Sequence, residues 1–487
     1  MSEHHVQLPV KIDATSNGEF LPVPVSRTVS QAKVLAAARI TDNARQLNVS
    51  RRAFLTSLCG AATTLLTFNH AWAARGNTGG YFQVHPEAAF DLAAAQDSLS
   101  GAEFIFDIQT HMVDPQGDWR RGPGKLFERF LAWVPQGACG EADPTDCFSA
   151  QRFIKEIFLD SDTSMAVLSF VPAPPDHNPL SLTEAARTRT LVDALGGGKR
   201  LLLHAMVLPN LSPQEAQLEA MARAVEEWQV AAWKVYTQWG PNGVGWALDD
   251  PKVGLPFLAK AHALGIRNVC IHKGFPLQRH SPQFADCADV GRVARLFPDL
   301  NFIIYHSGFE STHPEGPYDP SRAAHGVNSL VQSLQDNGIG PNANVYAELG
   351  STWRFVMRDP TAAAHTLGKL LRYVGEERVL WGTDSIWYGS PQDQIQAFRT
   401  FQIAEELQER HQYPVLTSAL KAKVFGLNAA VVYGVDAVRG HRKTQRDQLE
   451  QVRTVYHTAP APSFATYGPK TPGEFWALQR QRGGLPA

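Results

Sequence analysis

The chain has 487 residues, 44% of them hydrophobic, which is enough for a large buried core and too much for a disordered chain. Its 45 basic and 47 acidic residues leave a formal net charge of -2, which gives no electrostatic footing for a nucleic-acid partner. No apolar run in the body of the chain is long enough to span a bilayer, so no stable membrane anchor is expected.

The first element in chain order is a targeting segment. The stretch Asn48-Val49-Ser50-Arg51-Arg52-Ala53-Phe54-Leu55-Thr56 resembles a twin-arginine export signal, with the pattern Ser/Thr-Arg-Arg-x-Phe-Leu. A small-residue apolar stretch follows from Ser57 to Phe68, then Ala71-Trp72-Ala73, the small-x-small pattern that a signal peptidase reads. This order predicts that residues 1–73 are a signal peptide standing outside the fold, and that the mature chain starts near Ala74. It makes the twin-arginine translocase a partner during export and the periplasm, or secretion, the destination. Leu58 stands before Cys59 where a lipoprotein signal needs a small residue, so lipidation is rejected. Export also bears on the cysteines. Cys139 and Cys147 lie close together in a polar stretch, and an oxidising compartment favours a disulfide between them. Cys270 sits in an apolar strand pattern and reads as a small core residue.

After an N-terminal segment, 74–102, the body from 103 to 435 alternates short apolar runs with helical patterns. The runs are Glu103–Ile108, Met165–Val171, Leu201–Val207, Ala231–Tyr236, Arg267–Ile271, Asn301–Tyr305, Asn344–Leu349 and Arg378–Trp381. Several are apolar on both faces, as strands of a buried parallel sheet are. Between them, Ser212-Pro213-Gln214-Glu215 is a capping box opening Ala216–Trp228. Asp250-Pro251 opens Leu255–Leu264, which ends at Gly265. Asp289–Phe297, Pro360–Val374 and a run from Ser390 through Leu407 read as further helices. Strand and helix in alternation predict an α/β fold, a (β/α)8 TIM barrel. The rival is an open doubly wound sheet, weakened because no glycine-rich phosphate fingerprint follows the first strand. Met112–Ser164 is a long insertion after strand one. Residues 436–487 are a polar C-terminal extension expected to wrap the barrel or stay loose.

Barrel chemistry sits at the C-terminal ends of strands. There the sequence places Gln109 and His111 after strand one, His272 ending strand five, His306 ending strand six and Asp384 ending strand eight, with Lys234 inside strand four. These are residue types that bind a divalent metal or work beside one, and their convergence on one barrel face is the signal. With these residues, and with the closing stretch Lys423-Val424-Phe425-Gly426-Leu427-Asn428-Ala429-Ala430, the chain resembles the amidohydrolase superfamily. Within it, the resemblance is to the amidohydrolase-2 group related to aminocarboxymuconate-semialdehyde decarboxylase. The resemblance implies a metal held by a His-x-His pair, a strand-five His and a strand-eight Asp, with the strand-six His assisting. Carried over, the metal ligands are Gln109, His111, His272 and Asp384, and the catalytic pair is His306 and Asp384. The departure is Gln109, which stands where the family has a histidine. A neutral amide is a poorer zinc ligand than imidazole, so the site would hold metal more weakly, prefer a harder ion, or do without.

The expected cofactor is one divalent ion, zinc first and manganese or iron next. The expected reaction is metal-dependent hydrolysis of an amide, ester or lactone bond in a small molecule. In it a metal-bound water is activated and Asp384 passes its proton to the leaving group. Lys234, Trp353, Arg354 and Trp387 are candidate substrate contacts, with Trp239, Trp246 and Tyr388 on neighbouring loops. Lys234 also reads as a buried lysine, or as the carboxylated lysine of other branches of the superfamily. Glu348 and Glu310 are further candidate acids, while His280, His313 and His325 read as surface loop residues. The alternative reaction is non-oxidative decarboxylation of an aromatic or enoic acid. An alternative of another class is an inactive periplasmic binding protein. Oligomeric state, including a homodimer, is left open.

Overall fold

A computed structural model of the chain describes residues 6–481 apart from 14, 18–19, 122–138, 197, 278–280 and 465. His280 and much of the insertion after strand one therefore lie outside the described residues.

A short strand, β1 (Gly80–Phe82), precedes eight parallel strands, β2 (Phe106–Thr110), β3 (Met165–Leu168), β4 (Leu201–Met206), β5 (Ala232–Tyr236), β6 (Asn268–His272), β7 (Asn301–Tyr305), β8 (Val345–Glu348) and β9 (Val379–Leu380). Each pairs with the next in parallel, in chain order. The first and last strands also meet: Ile108 N–H donates to Trp381 O at 3.1 Å and Asp384 N–H to Gln109 O at 2.9 Å. The sheet is thus a (β/α)8 barrel, as expected from the eight runs.

Alternation along the strands sorts the apolar residues into two cores. Val269 and Ile271 of β6, Phe302 and Ile304 of β7 and Trp233 and Val235 of β5 belong to the outer core under the helices. Cys270, Ile303, Tyr305, Ala232, Tyr346 and Leu380 belong to a separate inner core, floored by Ala429 and Ala430. Lys234, His272 and Glu348 continue the inner rows towards the C-terminal ends of β5, β6 and β8.

β2 breaks this rule. Its pairing with β3 slips between Asp107 and Thr110, where three steps on β2 face two on β3, from Ala166 to Leu168. The extra residue is a bulge, which re-aims side chains. Phe106 and Ile108 face the inner core, and after the slip Gln109 and His111 point inward too.

In the uncut chain α1 (Arg27–Gln46), α2 (Arg51–Leu55) and α3 (Leu58–Ala73) pack into the main core, with Ile40, Leu65 and Phe68 fully buried. The helix expected to run to Leu407 stops at Thr400, because Phe401–Ile403 forms β10, antiparallel to β1. That partner lies over 300 residues away, so local pattern could not reveal it. The C-terminal extension does wrap the barrel, in helices Ala437–Thr444, Gln448–Tyr456 and Pro472–Gln481. Asp447 holds it to Arg200 at 2.6 Å. Cys139 and Cys147 are joined as a disulfide, Cα atoms 5.7 Å apart. Among the described residues, no helix is long and apolar enough to cross a membrane.

Candidate active site

Five of the loops that follow barrel strands carry non-glycine residues with positive φ: Asn242 (φ 57°) after β5, Phe275 (φ 36°) after β6, His306 (φ 66°) and Ser307 (φ 55°) after β7, Ser351 (φ 54°) after β8, and Asp384 (φ 59°) after β9. Such conformations are costly away from glycine and cluster where a side chain must be aimed. Here they turn His306, Ser351 and Asp384 over the barrel mouth.

Asp384 is the centre. Its Oδ1 lies 3.1 Å from His111 Nε2 and accepts from Gln109 Nε2 at 3.1 Å. Its Oδ2 accepts from Ser351 Oγ at 2.5 Å. Burial would raise its pKa, but the hydrogen bonds from His111 and Ser351 hold it below the ordinary carboxylate range. Asp384 is therefore an ionised base at neutral pH, 2% exposed.

The second half is a histidine chain whose tautomers follow from one carbonyl. His306 Nδ1 lies 2.7 Å from Gly350 O, a pure acceptor, so Nδ1 carries the proton and Nε2 a lone pair. That Nε2 lies 3.2 Å from His272 Nδ1, which must then be the donor. His272 Nε2 is left as a lone pair, buried and without a hydrogen-bond partner, as is Gln109 Oε1. Burial keeps both rings neutral: it pushes His306 down to about 4 and His272 well below the ordinary histidine range. His111 is lowered as well, chiefly by burial, and its ring stacks on Trp387 at 5.4 Å.

Glu348 fastens the backbone beneath this chain. Its two oxygens accept from His306 N–H at 3.0 Å and Gly350 N–H at 2.5 Å. Burial raises it to about 8, so it holds its proton at neutral pH. Asp107, raised by burial to about 7, ties Thr383 N–H at 3.1 Å and so anchors the turn before Asp384. The ammonium of Lys234 lies over the rings of Tyr305 at 3.7 Å and Tyr236 at 4.8 Å, inside the barrel.

The structure thus brings together Gln109, His111, His272, His306 and Asp384, with Lys234 below them and Trp387 alongside. Two candidate substrate contacts stand elsewhere. Trp353 is fully buried against Phe398 and Phe401, its indole N–H donating to Gln394 O at 2.9 Å. Arg354 is 2% exposed and bound to Asp393 and to Lys11 O. Ser351 and the Asp107 anchor escaped the sequence reading, since both depend on which loops meet across the mouth.

A divalent ion fits the donor types at this mouth. A buried imidazole lone pair on His272 and a buried amide oxygen on Gln109 both lack a partner, beside the His111–Asp384 pair. Among the described residues, the group of His, Cys, Asp or Glu whose ligating atoms all lie within 4.8 Å of one another is a different one, Glu310, His313 and His325. There the two rings stack in parallel at 4.0 Å, so their lone pairs run side by side instead of converging, and both Nδ1 atoms face one Glu310 oxygen. That is a carboxylate clamping a histidine pair on the rim. At the mouth, His272 would have to turn towards the His111–Asp384 pair to close around an ion.

The family model described as Amidohydrolase matches residues 180–435, more than half of the chain and everything from β4 to the barrel floor. The chain belongs to the amidohydrolase family. Members of this family usually bind a divalent metal ion. No curated protein matches the sequence. Among solved structures, the chain is similar to a 2,6-dihydroxybenzoate decarboxylase from Rhizobium, with 17% identity, TM-score 0.39, 68% of this chain covered and 99% of that one. It is similar to a TIM-barrel protein from Bordetella bronchiseptica, with 12% identity, TM-score 0.41 and coverage of 70% and 99%. It is also similar to a 4-oxalomesaconate hydratase from Rhodopseudomonas palustris, with 17% identity, TM-score 0.41 and coverage of 70% and 98%. Scores this low carry no inference about the reaction of this amidohydrolase.

Proposed function

We propose that this amidohydrolase-family barrel hydrolyses an amide, ester or lactone bond of a small molecule. The observation that carries the reading is an ionised Asp384, held on both oxygens by His111, Gln109 and Ser351, in the same buried mouth as a neutral His306 whose Nε2 accepts from His272 Nδ1–H. Asp384 Oδ1 takes the proton of the attacking water and returns it to the leaving group as the tetrahedral intermediate collapses. His306 accepts rather than donates here, because Gly350 O fixes its proton on Nδ1. Its part is to hold and orient the His272 ring. Lys234 supplies positive charge for the developing oxyanion. His111, His272, Asp384 and Gln109 Oε1 would hold a divalent ion, zinc by donor type, which when bound supplies Lewis-acid activation of water and carbonyl. Burial serves the same end, since charges act more strongly where water is excluded.

The experiment is a screen of the metal-supplemented protein against esters, lactones, amides and aromatic acids. Proton release and carbon dioxide are followed in parallel. Hydrolytic proton release without carbon dioxide supports the reading. Carbon dioxide from an aromatic or enoic acid, with no hydrolysis of any ester, lactone or amide, replaces it with decarboxylation.

A further inference from the structure

Leu8, Val10, Lys11 and Ile12 are all buried, with exposures of 3% or less. This arm does not lie on the outer helices. It crosses the loops that follow the barrel strands, above the site. Lys11 N–H donates to Asp393 Oδ2 at 3.1 Å, and Arg354 donates to Lys11 O at 3.0 Å. Lys11 Nζ donates to two carbonyls of the loop after Asp384, Tyr388 O at 3.1 Å and Ser390 O at 3.0 Å. Further along, Asp13 pairs with Lys33 of α1 at 2.6 Å and with Lys470 of the C-terminal extension at 3.4 Å. Phe20 lies on Phe275 at 4.9 Å, and Phe275 lies on His306 at 5.3 Å.

The same loop reaches the reacting carboxylate by a second route. Tyr388 OH lies 2.9 Å from Ser351 Oγ, and Ser351 Oγ donates to Asp384 Oδ2 at 2.5 Å. Lys11 therefore stands three links from the catalytic oxygen: it fixes the backbone of Tyr388, whose hydroxyl orients Ser351, whose hydroxyl orients Asp384. The charged groups facing its ammonium are Asp393, Arg354, Glu156 and Asp160. Behind the arm, α3 is tied into the catalytic domain as well. Asn69 exchanges two hydrogen bonds with Phe82 of β1, at 2.6 and 2.9 Å, and β1 pairs with β10. Arg51 and Arg52, the pair that resembles an export signal, line a surface cleft with Arg152, Lys155 and Tyr467.

We propose that residues 8–73 stay on the working enzyme as the roof of its site, and that Lys11 is a positioning residue for Asp384. The positioning half rests on the catalytic reading of Asp384, and the retention half stands without it. A twin-arginine pattern then marks a segment whose burial and pairing belong to the enzyme itself. Cutting at Ala73 would remove every Lys11, Asp13 and Phe20 contact and leave the buried Arg354–Asp393 pair open to water.

The test uses the full chain, produced in a bacterium that has the twin-arginine translocase. Intact mass of the folded protein from each compartment is measured first. The proposal predicts species that retain residues 8–73, and an active species starting at Ala74 overturns it. Next, Lys11→Met and Tyr388→Phe are assayed on a substrate from the screen above. Each is expected to lower kcat roughly tenfold with KM within about twofold, as loss of alignment does, and Lys11→Arg to recover most of the Lys11→Met loss. Native kcat in both Lys11→Met and Tyr388→Phe overturns the positioning role, and Tyr388→Phe alone decides it if Lys11→Met fails to fold. An Asp384→Asn variant with native rates would instead overturn the catalytic reading while leaving the mass result in force.

Discussion

Gln109 is where this chain parts from the ligand pattern it resembles. Its Nε2 donates to Asp384 at 3.1 Å and its Oε1 is left without a partner. It thus serves as a donor to the carboxylate with an amide oxygen in reserve for a cation. Imidazole binds zinc better than a neutral amide, so Gln109→His is expected to tighten zinc binding, and Gln109→Ala to weaken it less than His111→Ala or His272→Ala. Chelator competition on the four variants checks the order, and a Gln109→His protein with unchanged affinity would contradict it. Glu348 gives a pH prediction. Its folded pKa, raised by burial to about 8, lies above its unfolded value of 4.5. Between those values the folded state binds more protons than the unfolded one, so stability is full below pH 4.5 and falls as pH rises towards 8. Glu348→Gln, which cannot ionise, is expected to flatten the decline of Tm between pH 5 and pH 8. An unchanged slope would show that another group carries it.

At the scale of elements, the strands were readable because parallel strands buried on both faces leave continuous apolar runs. All eight predicted runs overlap a barrel strand, and six contain one whole. Of the helix starts, the one at 360 was readable from Pro360 and its cap Asp359, which accepts from Thr361 and Ala362 N–H, whereas the capping box expected at Ser212 does not form, because Pro213 is itself the N-cap of the helix at 214 and no side chain caps it. What local pattern could not show was where pairing between distant segments decides the outcome. The bulge in β2 exists only against the register of β3, yet it turns Gln109 inward. The break at Thr400 exists only because β1 claims Phe401–Ile403. The left-handed turns at His306, Ser351 and Asp384 fall on residues that carry no glycine signal. One glycine next to them is set by space. A Cβ on Gly382 would lie 1.6 Å from Glu348 Oε1, a carboxylate already fixed to the backbone of His306 and Gly350. Gly382→Ala is therefore expected to cost about 1–3 kcal/mol by overpacking and to misplace His306. Thermal unfolding together with kcat checks it, and a variant native in both would show that Glu348 has room to move.

At the scale of the whole molecule, closure of the barrel makes the site. Asp384 follows the last strand and its partners Gln109 and His111 stand at the end of the first, so the carboxylate meets them only because β9 returns to β2. The ends of the chain complete the mouth, the arm through Lys11 and the C-terminal extension through Lys470 and Thr466, which both reach Asp13. The strand-end residues that converge here were legible as one face of a barrel, and the contacts of the arm were not, because they join segments more than 300 residues apart. The most direct test of the account is kcat of Asp384→Asn beside its Tm. The account predicts turnover lower by about 10²–10⁴-fold, the usual worth of a positioned acid–base group, in a protein that unfolds cooperatively near the native temperature. A well-folded Asp384→Asn protein turning over at the native rate would contradict it.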